Sequence, residues 1–148
     1  MQSQKIKHIC CLLPASQLIR YGNLLETYEQ TFGVAQICWA PIKDFHLVKQ
    51  EVLLSQILPF LMAADQSQEK VVVHCFGGIG RTGQILAAWL VAGRDFSPQS
   101  AIEAVKRTGR NPYEAVIAAP FQGRNPGRVL AELNKLLDEC TGFRNLLI

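Results

Sequence analysis

His74-Cys75-Phe76-Gly77-Gly78-Ile79-Gly80-Arg81-Thr82-Gly83 is the stretch on which the reading of this chain turns. It follows a β-branched run, Val71-Val72-Val73, and leads into Ile85-Leu86-Ala87-Ala88-Trp89-Leu90, an apolar helical pattern. A strand, a tight loop and a helix start are expected in succession, with a cysteine at the strand end and an arginine at the helix start. The first N–H groups of a helix lack partners and its dipole is positive there, so an anion is favoured. Gly77, Gly78 and Gly80 permit positive φ and close backbone approach, which lets the amides from Phe76 through Ile79 and Gly80 turn inward around a tetrahedral oxyanion. Arg81 adds a planar fork that grips two oxygens at once. Cys75 lies at the base of this cradle, and the same amides, dipole and arginine, with His74 beside them, favour its thiolate. A nucleophile under an anion cradle is suited to in-line phosphoryl transfer. The bland alternative is a small buried cysteine followed by a glycine turn. It gives no account of the arginine and threonine at this spacing.

Cys75-x5-Arg81-Thr82-Gly83 preceded by His74 resembles the signature of the cysteine-dependent protein tyrosine phosphatase superfamily. The Gly78-Ile79-Gly80-Arg81-Thr82-Gly83 half is similar to the form found in tyrosine and small dual-specificity phosphatases. Rhodanese-like sulfur carriers lack that half. Low-molecular-weight phosphatases and arsenate reductases carry their loop at the extreme N-terminus, not after 70 residues.

At 148 residues the chain is expected to form a single domain over 1–148, with a core of about 6–139 large enough to be stable unaided. The formal net charge of +3 suits an anionic substrate but is too weak to argue for nucleic acid or a membrane. No apolar stretch is long enough to span a bilayer, and MQSQKIKHIC does not read as a secretory signal, so the expected location is cytoplasmic. Five cysteines without a C-x-x-C pair argue for a reducing compartment and against structural zinc. Cys10, Cys11 and Cys38 lie in strand-like apolar runs and read as core, with a disulfide between one of them and Cys75 as the redox alternative. Neither a metal nor any other cofactor is expected for the hydrolysis.

Apolar periodicity outlines the rest. Ile6–Leu13 reads as a buried strand ended by Pro14, and Ser16 as the cap of a helix to about Thr31, stopped by Gly33. Val34–Ala40 reads as a second strand, Leu47–Ala64 as a helix bent by Pro59, and Val71–His74 as the third strand. Helices are expected over Gln84–Ala92, from the Ser97-Pro98 cap to about Arg107, and over Arg128–Glu139, with turns between Gly109 and Pro126. This order predicts an α/β domain whose central, mostly parallel sheet is flanked by helices, the arrangement that the resemblance also implies.

The resemblance implies further site residues. Expelling an alkoxide or phenoxide requires a proton donor, which in the family is an aspartate roughly thirty residues before the cysteine. Asp44 lies 31 residues before Cys75, in Pro41-Ile42-Lys43-Asp44, a string like the Pro-Ile-x-Asp of dual-specificity phosphatases. A solvated loop carboxylate is its structural alternative, and Asp65 is the runner-up as acid. Thr82 is expected to donate to the Cys75 sulfur, or only to cap the helix. His74 is expected to hold the cysteine backbone, or to be a structural histidine at a strand end. Gln122 could orient the hydrolytic water, against the alternative of a surface glutamine.

The expected substrate is a phosphorylated protein or peptide. Phosphotyrosine is favoured, with phosphoserine and phosphothreonine admitted by a shallow pocket, since no long tyrosine-recognition segment is visible. Phe45 or Phe76 is expected at the entrance. Phosphate, sulfate and vanadate should compete for the loop. Arg107, Arg110, Arg124 and Arg128 make the C-terminal third basic and could engage an acidic flank of the substrate. An inositol phosphate, an RNA 5′-triphosphate and a non-catalytic phospho-binding role remain as alternatives.

Overall fold

Three short apolar runs form the sheet. β1 (Ile6–Cys11), β2 (Ile37–Trp39) and β3 (Lys70–His74) are all parallel, in the order β2-β1-β3, in a computed structural model that describes residues 4–143 and 145. Ile9, Cys10 and Cys11 of the central strand are fully buried, as expected for a strand covered on both faces. The flanking helices are α1 (Ala15–Leu18), α2 (Leu24–Phe32), α3 (Gln50–Val52), α4 (Leu58–Gln66), α5 (Gly80–Arg94), α6 (Pro98–Lys106), α7 (Glu114–Ala118) and α8 (Pro126–Cys140). The hub is α5, which packs on β3, α4, α6, α7 and α8, while α2 lies against β1 and β2. Ile85, Ala87, Ala88, Val91 and Ala92 of α5 are buried against Ile57, Leu58, Ile102, Leu133 and Leu137. Each such large aliphatic side chain contributes roughly 1.5–3 kcal/mol of burial.

The α/β class and the parallel sheet agree with the sequence reading, whereas several boundaries differ from it. The second strand covers only Ile37–Trp39, because Ile9↔Ile37 is the first registered pair and Val34–Gln36, ahead of it, turn as a 3-10 segment. The helix expected over residues 16–31 breaks where Gly22 takes φ 63°. Pro14, not Ser16, stands at its cap. The helix expected from Leu47 begins at Gln50. Lys49 is extended, and the Val48 amide bonds Gln84 Oε1 instead of a helical carbonyl. The bend expected at Pro59 is realised as a widened π turn over Leu53–Ile57, directly before α4. Proline there lacks the N–H and crowds the carbonyl four residues back. Between Gly109 (φ 87°) and Gly123 (φ 70°) the alanine-rich run forms α7 and a 3-10 turn, Ala119–Gln122, rather than only loops. The Ser97 hydroxyl does cap α6, accepting from the Ser100 amide at 3.2 Å.

The topology sets the site. β1 ends between the other two strands, and its backbone continues to hold both neighbours beyond the sheet. Leu12 N donates to His74 O at 2.9 Å, Ala40 N to Cys11 O at 3.0 Å, and Ile42 N to Leu12 O at 3.0 Å. The loops after β2 and β3 therefore leave the same carboxyl edge side by side, the place where open parallel sheets carry their sites.

Candidate active site

Cys75 follows the last residue of β3, and α5 begins five residues later at Gly80, not at Gln84 as the apolar pattern suggested. The first turn of α5 is Gly-Arg-Thr-Gly, a poor helix former, yet its leading N–H groups are the ones with no helical partner and its dipole points at the loop. Gly78 takes φ 71°, a conformation that residues with a Cβ rarely adopt, and its amide donates to Cys75 Sγ at 3.2 Å. The Thr82 hydroxyl donates to the same sulfur at 3.2 Å. Two hydrogen-bond donors thus converge on one sulfur.

Arg81 is only 3% exposed. Its Nη1 donates to Gln17 Oε1 at 2.8 Å and to Ile42 O at 3.0 Å, while Nη2 lies 3.5 Å from Asp44 Oδ1. The guanidinium plane is thus held by α1 and by the loop after β2 at once. His74, one residue before Cys75, meets the Tyr28 hydroxyl through Nε2 at 3.2 Å. Burial pushes its pKa down, opposed by a hydrogen bond between its ring and the Cys75 backbone, so a neutral ring is favoured.

The Asp44 loop is fastened from below. Gln84, 3% exposed, accepts from Val48 N at 2.9 Å and donates to His46 O at 2.8 Å. His46 Nδ1 meets Asp44 O at 2.8 Å, and Phe45 N donates to Asp44 Oδ1 at 3.0 Å. Gln84→Leu should leave the Val48 amide and His46 carbonyl without partners, at a cost of about 1–3 kcal/mol. Urea unfolding would show it as a lowered midpoint with unchanged slope.

Asp44 and Phe45 join Cys75, Phe76, Gly77, Ile79, Gly80, Arg81 and Glu114 around one cavity of about 160 Å³. Phe45, Phe76 and Ile79 are each more than 40% exposed and form an apolar rim, with Arg20 stacked 5.4 Å over the Phe76 ring. Larger hollows of about 610 Å³ beside Lys5 and Phe32 and about 410 Å³ beside His46 and Lys135 are lined by no cysteine. Chemistry, not volume, singles out the smaller one. Of the other cysteines, Cys10 is kept protonated by its hydrogen bond to Cys38 and by burial, Cys11 is raised by burial, and Cys140 is pushed up to about 12 by burial and Glu139.

Asp65 lies in α4 in a 2.7 Å ion pair with Arg94, away from this cavity. Gln122 does not line it either. It accepts from Arg124 Nη2, which also donates to Phe45 O at 2.7 Å. Arg110 is turned to Thr108, and none of the C-terminal arginines is in the lining. Three positions went unread in the sequence. Gln17 acts through a bond accepted from the Arg81 side chain, and Gln84 through two bonds to the backbone of Val48 and His46, contacts that no local pattern announces. Glu114 reaches the cavity because Asn111 N bonds Ile79 O at 3.2 Å and folds the segment after α6 onto the loop. Its pKa is raised by burial and by Asp44, with Arg81 opposing.

Residues 1–115 match the model of the dual specificity phosphatase catalytic domain. Rat (Rattus norvegicus) dual specificity protein phosphatase 5 is 28% identical over 69 residues, 47% of this chain but only 18% of that protein. Among solved structures, Tk-PTP in its active form superposes with a TM-score of 0.69 at 26% identity, covering 90% of this chain and 82% of that one. Kinase associated phosphatase, solved with its catalytic site cysteine replaced by serine, gives 0.66 at 25% identity over 75% of this chain and 64% of that one. PTPMT1 in complex with PI(5)P gives 0.69 at 15% identity over 93% and 80% of the two chains, a likeness of fold. The match of the family model extends from β1 through the cysteine loop and Arg81 to the first residues of α7. A cradle of this build and a match of this extent lead to one assignment: the chain belongs to the dual specificity phosphatase catalytic-domain family, within the cysteine-dependent protein tyrosine phosphatases.

Proposed function

We propose that the protein is a protein phosphatase that hydrolyses phosphotyrosine, and phosphoserine or phosphothreonine less well, through a phosphocysteine on Cys75. The observation that carries this reading is the Cys75 sulfur, met at 3.2 Å by both Gly78 N and Thr82 Oγ1 in the cavity that Arg81 and Asp44 share. In the first step the thiolate attacks phosphorus in line, the P–O bond to the leaving group breaks, and Asp44 protonates the departing oxygen. Arg81 and the amides of Phe76, Gly77, Gly78, Ile79 and Gly80 hold the equatorial oxygens. In the second step water attacks the phosphocysteine, Asp44 takes its proton, and the P–S bond breaks. Thr82 then stabilises the released thiolate. His74 positions the Cys75 backbone. Gln122 acts through Arg124 on the placement of Phe45.

Three apolar side chains at the rim, and a loop without charge before Arg81, support an aryl phosphate on protein over a polyphosphorylated small molecule. The names of the rat relative and of kinase associated phosphatase support the same class. Purified protein in a chelator should hydrolyse p-nitrophenyl phosphate, and kcat/KM should rank a phosphotyrosine peptide above a phosphoserine peptide, an inositol phosphate and a 5′-triphosphorylated RNA. A non-protein substrate that exceeds every phosphopeptide tenfold, about 1.4 kcal/mol of transition-state binding, overturns the substrate class and leaves the chemistry in place.

A further inference from the structure

Glu114 is a carboxylate in a cavity built to receive an anion. It is half-buried, and its side chain lies across the phosphate loop just before Arg81. A Cβ on Gly80 would stand 2.8 Å from its Cβ and Cδ and 2.9 Å from Oε1, so the glycine makes the notch that admits it. Among the described residues it forms no salt bridge, since Arg81 is turned to Gln17, Ile42 and Asp44. Standing there it repels a phosphate dianion and is itself desolvated. A charge so placed becomes favourable when the ligand brings a cation to it.

We propose that Glu114 is a specificity-determining residue that selects phosphate monoesters carrying a positively charged group beside the phosphate. This rests on the phosphatase reading of the same cavity. It replaces the sequence-based expectation of an acidic substrate flank. Arg124 is engaged with Phe45 and Gln122, Arg110 faces Thr108, and the charged side chains that line the cavity besides Arg81 are Asp44 and Glu114. The ligand class is a phosphorylated phenol with an ammonium or guanidinium nearby, such as phosphotyrosine with a basic neighbour.

Three aryl phosphates with similar leaving groups and different distal charge test it at pH 7 and low ionic strength: tyramine O-phosphate (ammonium), 4-ethylphenyl phosphate (neutral) and 3-(4-phosphonooxyphenyl)propanoate (carboxylate). The expected order of kcat/KM is ammonium, neutral, carboxylate, with about tenfold between the extremes, and the spread should shrink as salt screens it. Glu114→Gln should compress the spread to within about twofold, and Glu114→Lys should reverse the order. A role confined to packing over Gly80 would change all three substrates equally. p-Nitrophenyl phosphate, assayed in parallel, reports whether each variant is folded and whether the phosphatase reading stands. Binding of the same three compounds to Cys75→Ser gives the order without turnover. An unchanged spread in Glu114→Gln, or no preference for the ammonium compound in the parent protein, overturns the proposal.

Discussion

Replacing Cys75 with serine is expected to lower kcat on aryl phosphates by about 10⁴–10⁶ while leaving oxyanion affinity within a few-fold of the parent. The two effects separate because they belong to different atoms. Bond formation to phosphorus needs a thiolate, and a hydroxyl in the same place ionises far less readily. Oxyanion binding comes from the loop amides, the start of α5 and Arg81, none of which the substitution removes. The measurements are single-turnover and steady-state kinetics alongside calorimetric titration with sulfate or phosphate. A variant that keeps its turnover places the nucleophile elsewhere. A variant that loses both properties without loss of fold shows that Sγ, through its bonds from Gly78 N and Thr82 Oγ1, also holds the loop open.

The second large effect concerns Asp44. Asp44→Asn is expected to cost about 10²–10⁴ in rate, most with phosphotyrosine peptide and least with activated aryl phosphates. The leaving oxygen needs a proton, which asparagine in place of the acid does not supply. A variant with parental rates on phosphotyrosine peptide would move the role to Glu114, the other carboxylate of the cavity, and not to Asp65, which is paired with Arg94.

The surroundings of Cys75 were legible because its contacts are local. Cys75, Gly78, Arg81 and Thr82 lie within one strand-loop-helix unit, so spacing alone brings the sulfur, the amide, the fork and the hydroxyl together. Asp44 needed more, the Pro41-Ile42 string and the resemblance it carries, since a loop carboxylate has no periodicity. The parallel sheet followed from the alternation of apolar runs, while its short second strand did not, because pairing with β1 begins only at Ile9↔Ile37, after the turn over Val34–Gln36. Start signals were misread where tertiary bonds overrode them. Gln84 draws Val48 out of the helix that its apolar neighbours suggest, and α5 includes Gly80-Arg81-Thr82-Gly83, which propensity disfavours. Glu114 was invisible for the same reason. Its place depends on the fold-back of Asn111 onto Ile79.

The three backbone bonds at the end of β1 make Cys75 and Asp44 answer to one ruler. Cys11 O and Leu12 O hold Ala40 and Ile42 on one side, Leu12 N holds the carbonyl of His74 on the other, and Ile42 O in turn receives Arg81. The separation between Asp44 and Cys75 is therefore graduated in peptide units, which every amino acid but proline supplies alike. Side chains along Cys11–Leu13 and Ala40–Ile42 are free to vary in identity, proline at 12, 40 and 42 apart, within the volume of the core, without resetting the spacing of the two loops. An insertion or deletion of a single residue there would miscalibrate both loops together.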